Sequence, residues 1–324
     1  ALELDANPTQ GALYGIPVLI KDNIATGDSM HTTAGAAALR DAQADRDAFL
    51  VARLRDAGAV ILGKANLSEW AYWMFENGPS GYTALGGQVV NPYDPAVDPY
   101  GSSTGSAVGV AANLATLSVG TETAGSIIAP ASRTSTVGIH PSIGLISRDY
   151  VIPLSDQLDT AGPITRTVTD AAVMLTVMAG VDSNDPMTAL TESIADQDFT
   201  AFLDANALQG KRIGIPVREL EVDFDTAMRE AGLTEIVDVM RSAGAEVVMV
   251  NPQEINLEFE DFVTLLSFGM KNGTAAYLAD TGFTERTDKL GNGLLVDIGS
   301  FTPSAFFGHF GHFFFEDQPA DIGG

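Results

Sequence analysis

A lysine and two serine-bearing loops stand out in this sequence, because together they could carry out acyl transfer. Lys21 ends the apolar run GIPVLIK at 15–21, and the loops GSSTGS at 101–106 and GTETAGS at 120–126 follow. A serine hydroxyl is a weak nucleophile until a base takes its proton, and a lysine serves as that base only when neutral. Burial among apolar neighbours lowers a lysine pKa from about 10.4, because desolvation disfavours the charged amine. The residues therefore indicate nucleophilic catalysis with a lysine base.

The loop that ends at Ser126 could also stabilise a developing oxyanion. Its consecutive backbone N–H groups at 123–126 can converge on one oxygen, and its small side chains let a substrate carbonyl approach. Asp22 follows the lysine and would raise the lysine pKa if it faced the amine. Consecutive side chains of a strand point to opposite faces, so we expect Asp22 to point away from Lys21.

The three segments, in this order and with Ser126 following Ser102 by 24 positions, resemble the amidase signature family. The resemblance implies a Ser–cisSer–Lys triad in which Ser126 is the nucleophile and Ser102 relays its proton to Lys21. It also implies a cis peptide bond before Ser102, which Gly101 makes sterically easier. The further residues that it implies for the oxyanion hole and for substrate binding are Thr123, Ala124, Gly125 and Ser103.

Two departures from the family pattern bear on the substrate. Ala124 stands where many members have glycine, and a main-chain donor tolerates alanine unless φ must be positive there. Ile128 stands where many members have arginine, and peptide-amidase-like members also lack that arginine. This favours the C-terminal amide of a peptide as the substrate, hydrolysed to a carboxylate and ammonia through an acyl-enzyme on Ser126. A glutaminase-type subunit of a tRNA-dependent amidotransferase and an inactive, truncated interaction module remain as alternatives.

A segment dense in aromatic residues lies between Lys21 and the first serine loop in the sequence. It comprises Trp70, Tyr72, Trp73, Met74, Phe75 and Tyr82. The resemblance places the matching region on the acyl side of the cleft, so we predict a wide, largely apolar groove for an extended substrate. The alternative is that these aromatics pack a helix at 66–75 onto the sheet.

Composition narrows the class of protein. The 324 residues, 45% of them hydrophobic, can bury a large core, and no apolar run reaches the roughly 18 residues of a membrane span. A net charge of −25 disfavours nucleic acid as a partner, because its phosphates would be repelled. The absence of cysteine excludes disulfides and thiolate metal sites. We expect an acidic enzyme without metal or cofactor that acts on a small-molecule or peptide amide, in the cytoplasm or exported after signal removal; its oligomeric state does not follow from the sequence.

Three other motifs compete with this interpretation. GSSTG at 101–105 matches the nucleophile elbow G-x-S-x-G, but a segment rich in proline and asparagine precedes it where that motif needs a buried strand. GAVILGK at 58–64 begins like a phosphate loop, although Ala65 lacks the hydroxyl for Mg²⁺, and a helix-to-strand turn explains it better. His309 and His312 have helical spacing but no set of carboxylate partners, so we predict packing there.

An α/β fold must position these residues. Helical periodicity alternates with short apolar strands along the chain, which is typical of a mixed, mostly parallel sheet covered by helices on both faces. Strands are predicted over 16–20, 59–62, 115–120, 212–217 and 245–250. Helices are predicted over 47–57, 66–75, 106–114, 167–179 and 225–243. Residues 77–100 are predicted as a long ordered loop over the site.

The domain organisation follows from the extent of the resemblance. It continues more weakly to about residue 315, and no linker divides the chain convincingly. We therefore expect one amidase signature domain over 1–324. Relatives extend beyond both ends of this sequence, which implies a truncated chain that lacks part of the usual C-terminal portion.

Overall fold

Lys21 ends a strand in the interior of a five-stranded mixed sheet. The structure is a computed structural model that describes residues 11–73, 78–216, 232–250 and 259–281. Its strands, in chain order, are β1 (Pro17–Lys21), β2 (Val60–Ala65), β3 (Tyr82–Thr83), β4 (Gly87–Gln88), β5 (Leu117–Glu122), β6 (Val137–Gly138), β7 (Thr160–Thr165), β8 (Arg212–Pro216) and β9 (Glu246–Val250). The large sheet has the spatial order β2-β1-β5-β7-β6.

Parallel pairing in the large sheet is confined to one side. β1 pairs in parallel with β2 and β5, whereas β7 is antiparallel to both β5 and β6. β3 and β4 form a separate antiparallel pair, and β8 and β9 form a separate parallel pair. The predicted α/β fold with a mixed sheet is confirmed. The large sheet has two parallel and two antiparallel pairings rather than mostly parallel ones, and β5 is the strand at which the pairing changes direction.

Six α-helices accompany the strands in the described part of the chain. They are α1 (Phe49–Asp56), α2 (Thr104–Ala111), α3 (Ile128–Arg133), α4 (Val168–Met178), α5 (Thr234–Ser242) and α6 (Phe259–Asp280). Short 3₁₀ segments lie at Ala37–Leu39, Glu69–Tyr72, Pro186–Ile194 and Phe199–Phe202. None of these described helices is long and apolar enough to cross a membrane.

Helices cover both faces of the large sheet. The side chains of β1 alternate between these faces, so they show what packs on each. Val18 and Ile20 are buried in one core cluster with side chains of α1 and α4. Leu19 points to the opposite face, where α2 lies. A Cβ added to Gly109 of α2 would lie 2.5 Å from the Leu19 side chain. Helix α2 therefore packs closely on the face of β1 that also carries Lys21.

The segment after β2 is not the α-helix predicted over 66–75. A 3₁₀ turn, Glu69–Tyr72, lies there instead, and Trp70 has a φ of 50°, in the left-handed region. Ser68, within the predicted helix, accepts a hydrogen bond from Gly81 N at 2.9 Å. A contact across 13 positions thus outweighs the local helical pattern.

The other predicted elements are present, with differences at their ends. β3, β4, β6, β7, α3 and α6 were not predicted, and β3 and β4 lie within the predicted loop at 77–100. β7 has the sequence TAGPIT, whose glycine and proline are depleted in strands, and Pro130 lies within α3. The helix predicted over 225–243 is described only from Gly232 onward, and Val217 lies outside the described residues.

Two compact units contain the described residues. One lies within Ala1–Phe199 and Phe259–Gly324, and the other within Thr200–Glu258. All the predicted site residues belong to the first unit. The single domain over 1–324 stays a prediction.

Candidate active site

The side chain of Lys21 is fully buried, and three oxygen atoms surround its amine. Nζ lies 2.8 Å from Ser102 Oγ, 2.9 Å from Thr121 Oγ1 and 3.1 Å from the Thr121 carbonyl oxygen. Burial lowers the Lys21 pKa from 10.5 to about 7, against the opposing charges of Glu122 and Asp159. The predicted burial of Lys21 and its proximity to Ser102 are confirmed. A large fraction of the amine is therefore neutral at physiological pH.

The number of hydrogens on the amine decides which way each hydrogen bond runs. An ammonium group has three hydrogens, one for each surrounding oxygen, and it cannot accept. A neutral amine has two hydrogens and one lone pair, while the Thr121 carbonyl oxygen can only accept. If the two oxygens of Thr121 take both hydrogens, the lone pair of Lys21 faces Ser102 Oγ. In that state the lysine can receive the proton of the Ser102 hydroxyl.

Asp22 points away from the Lys21 amine, as strand alternation predicts. Its carboxylate accepts a hydrogen bond from the Thr33 hydroxyl and lies 3.6 Å from Lys64 Nζ. Burial raises the pKa of Asp22 and lowers that of Lys64 to about 8. The neighbouring carboxylate is therefore engaged by a second lysine on the other side of β1, and it leaves the amine of Lys21 free of a direct ion pair.

The first serine loop is held by backbone geometry and by the end of β5. The peptide bond Gly101–Ser102 is cis, as the resemblance implies. A Cβ on Gly101 would lie 2.4 Å from Ser68 Oγ, so a larger residue does not fit there without displacing that side chain. Ser103 Oγ donates to the Thr121 carbonyl at 3.0 Å and accepts from Thr121 N at 3.2 Å. Ser103 thus fixes the residue whose oxygens hold the lysine.

The second loop brings Ser126 beside the first. The Ser126 carbonyl accepts a hydrogen bond from Ser103 N at 3.1 Å, and the residue is 5% exposed. Glu122 holds the following turn, because its Oε2 accepts from Ile127 N at 2.6 Å and Ile128 N at 3.0 Å. This buried carboxylate satisfies two free N–H groups at the start of α3. Sequence reasoning missed Glu122, although an acidic residue shortly before a helix is a recognisable capping signal.

The predicted oxyanion loop contains one residue that needs the left-handed region. Gly125 has a φ of +85°, whereas Ala124 does not have a positive φ. Alanine in place of the glycine common in the family therefore causes no backbone strain at position 124. The Thr123 hydroxyl donates to Asp159 Oδ1, which fixes that side chain within the protein. The assignment of these backbone N–H groups to an oxyanion hole stays a prediction.

Asp159 is a second buried carboxylate that sequence reasoning missed. Its Oδ2 accepts hydrogen bonds from Leu154 N at 2.7 Å and Ser155 N at 2.8 Å, in addition to the Thr123 bond. Burial raises the pKa of Asp159. The residue connects the loop before Ser126 to the segment at 154–155, and no short motif in the sequence marks it.

A cavity of about 800 Å³ adjoins this arrangement, and Asn23, Thr121 and Thr123 form part of its wall. Its apolar lining includes Trp70, Val151, Ile152, Pro153, Leu154, Met270 and Tyr277. Its charged lining comprises Arg148, Asp149, Asp156, Asp159, Asp185 and Asp280. This volume is within the range of cavities that enclose small organic ligands. The cavity reaches the candidate site through Thr121 and Thr123, whereas Lys21, Ser102 and Ser126 are not among its lining residues.

The predicted aromatic segment divides between two roles. Trp70 lines the cavity, as the groove interpretation expects, and it also belongs to the core cluster that contains Trp73. Trp73 is buried in a core cluster that includes Leu266 and Met270 of α6, as the packing interpretation expects. Met74 and Phe75 lie outside the described residues.

The competing motifs have a structural explanation where they are described. Residues 89–100 form no strand before the loop at 101–105, so the nucleophile-elbow alternative lacks its supporting element. Residues 58–64 lead from the end of α1 into β2, which is the helix-to-strand turn that was predicted. Within the described ranges, no group of three His, Cys, Asp or Glu side chains is placed to hold a metal ion. His309 and His312 lie outside those ranges.

Comparison with known proteins identifies relatives of this chain. The family model described as Amidase matches residues 1–295. A probable amidase of Arabidopsis thaliana is 45% identical over 241 residues, which are 73% of this chain and 47% of that protein. The solved peptide amidase of Stenotrophomonas maltophilia is 42% identical with a TM-score of 0.80, over 93% of this chain and 64% of that one. A solved glutamyl-tRNA(Gln) amidotransferase subunit of Thermotoga maritima is 30% identical with a TM-score of 0.67, over 92% and 63%. The chain spans about half the length of the curated relatives it matches.

Proposed function

Since this chain belongs to the amidase family, we propose that it hydrolyses a carboxamide to a carboxylate and ammonia through an acyl-enzyme on Ser126. The observation that carries the proposal is the buried amine of Lys21, which lies 2.8 Å from Ser102 Oγ and has a pKa of about 7. A base with a pKa near the working pH is both available in its neutral form and able to return the proton.

In the acylation step, Ser126 Oγ attacks the carbonyl carbon of the substrate. Its proton passes to Ser102, whose own proton passes to the lone pair of Lys21 Nζ. Backbone N–H groups of the loop at 123–126 stabilise the oxyanion of the tetrahedral intermediate. The C–N bond then breaks, and the proton returns through Ser102 to the leaving nitrogen, which departs as ammonia.

In the deacylation step, a water molecule replaces the nucleophilic serine. Its proton follows the same path to Lys21 while its oxygen attacks the ester carbon. The second tetrahedral intermediate collapses with release of the carboxylic acid, which ionises to the carboxylate in solution, and the proton on Lys21 returns through Ser102 to Ser126 Oγ. The lysine is neutral again at the end of the cycle, so each turnover consumes one water and no cofactor.

We propose the C-terminal amide of a peptide as the substrate. Support comes from the cavity of about 800 Å³ and from Trp70 in its wall, since a small amide would fill little of that volume. The similarity to a solved peptide amidase agrees with this choice. Apolar and aromatic walls bind an extended chain through buried area while tolerating varied side chains.

Glutamine hydrolysis is the second candidate, because a glutamyl-tRNA(Gln) amidotransferase component is among the relatives. Two observations weigh against it. The carboxylate of glutamine would enter a cavity whose lining carries five aspartates against one arginine, Arg148, so like charges outnumber opposite ones there. The net charge of −25 also disfavours a partner that binds tRNA.

Ammonia release separates these candidates. We expect kcat/KM for a tripeptide amide to exceed that for acetamide and for glutamine by at least about a hundredfold, since binding of the peptide chain lowers the barrier. Equal efficiency for the small amides would reject the peptide-amide substrate, and preference for glutamine would favour the second candidate. No ammonia from any of the three would favour an inactive relative that acts as an interaction module.

A further inference from the structure

The side chain of Asn23 has an unsatisfied hydrogen-bond acceptor beside the catalytic lysine. Asn23 is 6% exposed and lines the cavity. Its Nδ2 donates to Thr121 Oγ1 at 3.0 Å, but its Oδ1 has no hydrogen-bond partner. Within the described ranges it is the one buried side-chain nitrogen or oxygen atom in this condition. Buried polar atoms normally have a partner, so this exception calls for a physical reason.

The surroundings of Asn23 fix its position. The backbone carbonyl oxygen of Asn23 accepts a hydrogen bond from Ile152 N at 2.8 Å, and Ile24 forms a β-bridge with Val151. The side-chain amide shares Thr121 Oγ1 with Lys21 Nζ, which lies 2.9 Å from that oxygen. The amide is thus held by its backbone and by Nδ2, two hydrogen bonds away from the proposed base. A partner for Oδ1 has to come from a molecule in the cavity, which is water in the free enzyme and can be a bound substrate during catalysis.

The chemistry of Oδ1 defines that group. An amide oxygen only accepts hydrogen bonds, so its ligand must supply an N–H or O–H hydrogen. A peptide amide carries a backbone N–H on the carbon atom next to its scissile carboxamide. The lining of the cavity carries five aspartates and one arginine, Arg148, and this excess of acceptors also favours groups that donate hydrogen bonds.

We propose that Asn23 Oδ1 accepts a hydrogen bond from a backbone N–H in the acyl portion of the substrate. Asn23 is then a specificity-determining residue that selects peptide-like amides over carboxamides without that N–H. The inference rests on the proposed function, because it names a recognition group of the same site.

Two substrates that differ in one group test this role. N-acetylphenylalaninamide carries the N–H, and 2-acetoxy-3-phenylpropanamide has an oxygen atom in its place. Both have the same scissile carboxamide and release ammonia. For the wild-type enzyme we expect kcat/KM to be about tenfold higher for the N–H substrate, because the ester oxygen offers no hydrogen to Oδ1. In Asn23→Ala the ratio of the two kcat/KM values should fall to about one, because kcat/KM should decrease for the N–H substrate alone.

Two further variants keep the test sharp. Asn23→Asp retains an acceptor at the same place, so the ratio should persist even if its new charge lowers both rates. Asn91→Ala is the matched control, because Asn91 is as buried as Asn23 but its Oδ1 accepts from Tyr93 N at 3.0 Å, away from the cavity wall. Its ratio should equal that of the wild type.

Several results would overturn the inference. A wild-type ratio near one would do so without any variant. An Asn23→Ala ratio that stays at tenfold, with or without equal losses of kcat/KM on both substrates, would also do so. Loss of the ratio in Asn23→Asp would overturn it as well. No ammonia from either substrate with the wild-type enzyme would instead reject the proposed function, and the inference with it.

Discussion

Lowering the pH through 7 should switch off hydrolysis, because it protonates the proposed base. With a pKa of about 7, half of the Lys21 amine is neutral at pH 7 and about 1% is neutral at pH 5. An ammonium group uses all three hydrogens on the surrounding oxygens and has no lone pair for the Ser102 proton. We therefore expect kcat/KM to fall about a hundredfold from its plateau to pH 5.

The size of the effect comes from burial. A lysine with its ordinary pKa of 10.5 would be neutral to only about 0.03% at pH 7, so the rate would keep rising tenfold per pH unit up to about pH 10. Desolvation is the largest cause of the lowered pKa, and the charge of Glu122 is the largest opposing one. In Glu122→Gln the amide oxygen can still accept from Ile127 N, while the negative charge is gone. We expect its acid limb to move to lower pH.

The assay measures ammonia release at substrate concentrations below KM from pH 5 to 10, with circular dichroism at each pH to confirm that the protein stays folded. Lys64→Met is the control, because Lys64 is the other lysine of this region with a lowered pKa, about 8. Its acid limb should match that of the wild type. A profile that is flat down to pH 5, a rise that continues to pH 10, or a limb that follows Lys64 would refute the reasoning.

Three substitutions test the remaining assignments. Ser126→Ala should keep its circular dichroism spectrum and lose at least about a thousandfold in kcat, because no hydroxyl remains to form the acyl-enzyme; near-normal turnover would exclude Ser126 as the nucleophile. Lys21→Met should be inactive yet have a higher free energy of unfolding in urea at pH 7. The pKa of wild-type Lys21 is about 7 in the folded protein and 10.5 in the unfolded chain, so unfolding takes up a proton between pH 7 and pH 10.5. The free energy of unfolding of the wild type should therefore rise with pH across that window. A Lys21→Met protein less stable than the wild type at pH 7 would contradict this reasoning. Gly125→Ala places a side chain at a φ of +85° and should cost about 1–2 kcal/mol in urea denaturation, with a fall in kcat larger than any change in KM.

Much of the site was predictable because its signals are local. The apolar run before Lys21 specifies a short buried strand, and the glycine- and serine-rich loops specify tight turns that leave room for a substrate carbonyl. Their order and spacing brought the family resemblance, and with it the cis bond at Gly101–Ser102. Alternation along β1 also predicted that Asp22 would point away from Lys21.

The segment at 66–75 shows where local signals fail. Its residue types favour a helix, but the hydrogen bond from Gly81 N to Ser68 Oγ and the left-handed backbone at Trp70 belong to a folded loop. Strand β7 was missed for the converse reason. Its residues have weak strand propensity, and pairing with β5 and β6 supplies the hydrogen bonds that hold it.

The sequence by itself indicated the residues that we propose to carry the chemistry: a lysine at a strand end and serines in two glycine-rich loops. The tertiary structure alone decided how they behave. Lys21 and Ser102 are 81 positions apart, and their contact at 2.8 Å, the lowered lysine pKa and the unpartnered oxygen of Asn23 all arise from the packing of distant segments. Desolvation and hydrogen-bond satisfaction depend on every neighbour of an atom in space, and local sequence patterns record only neighbours along the chain.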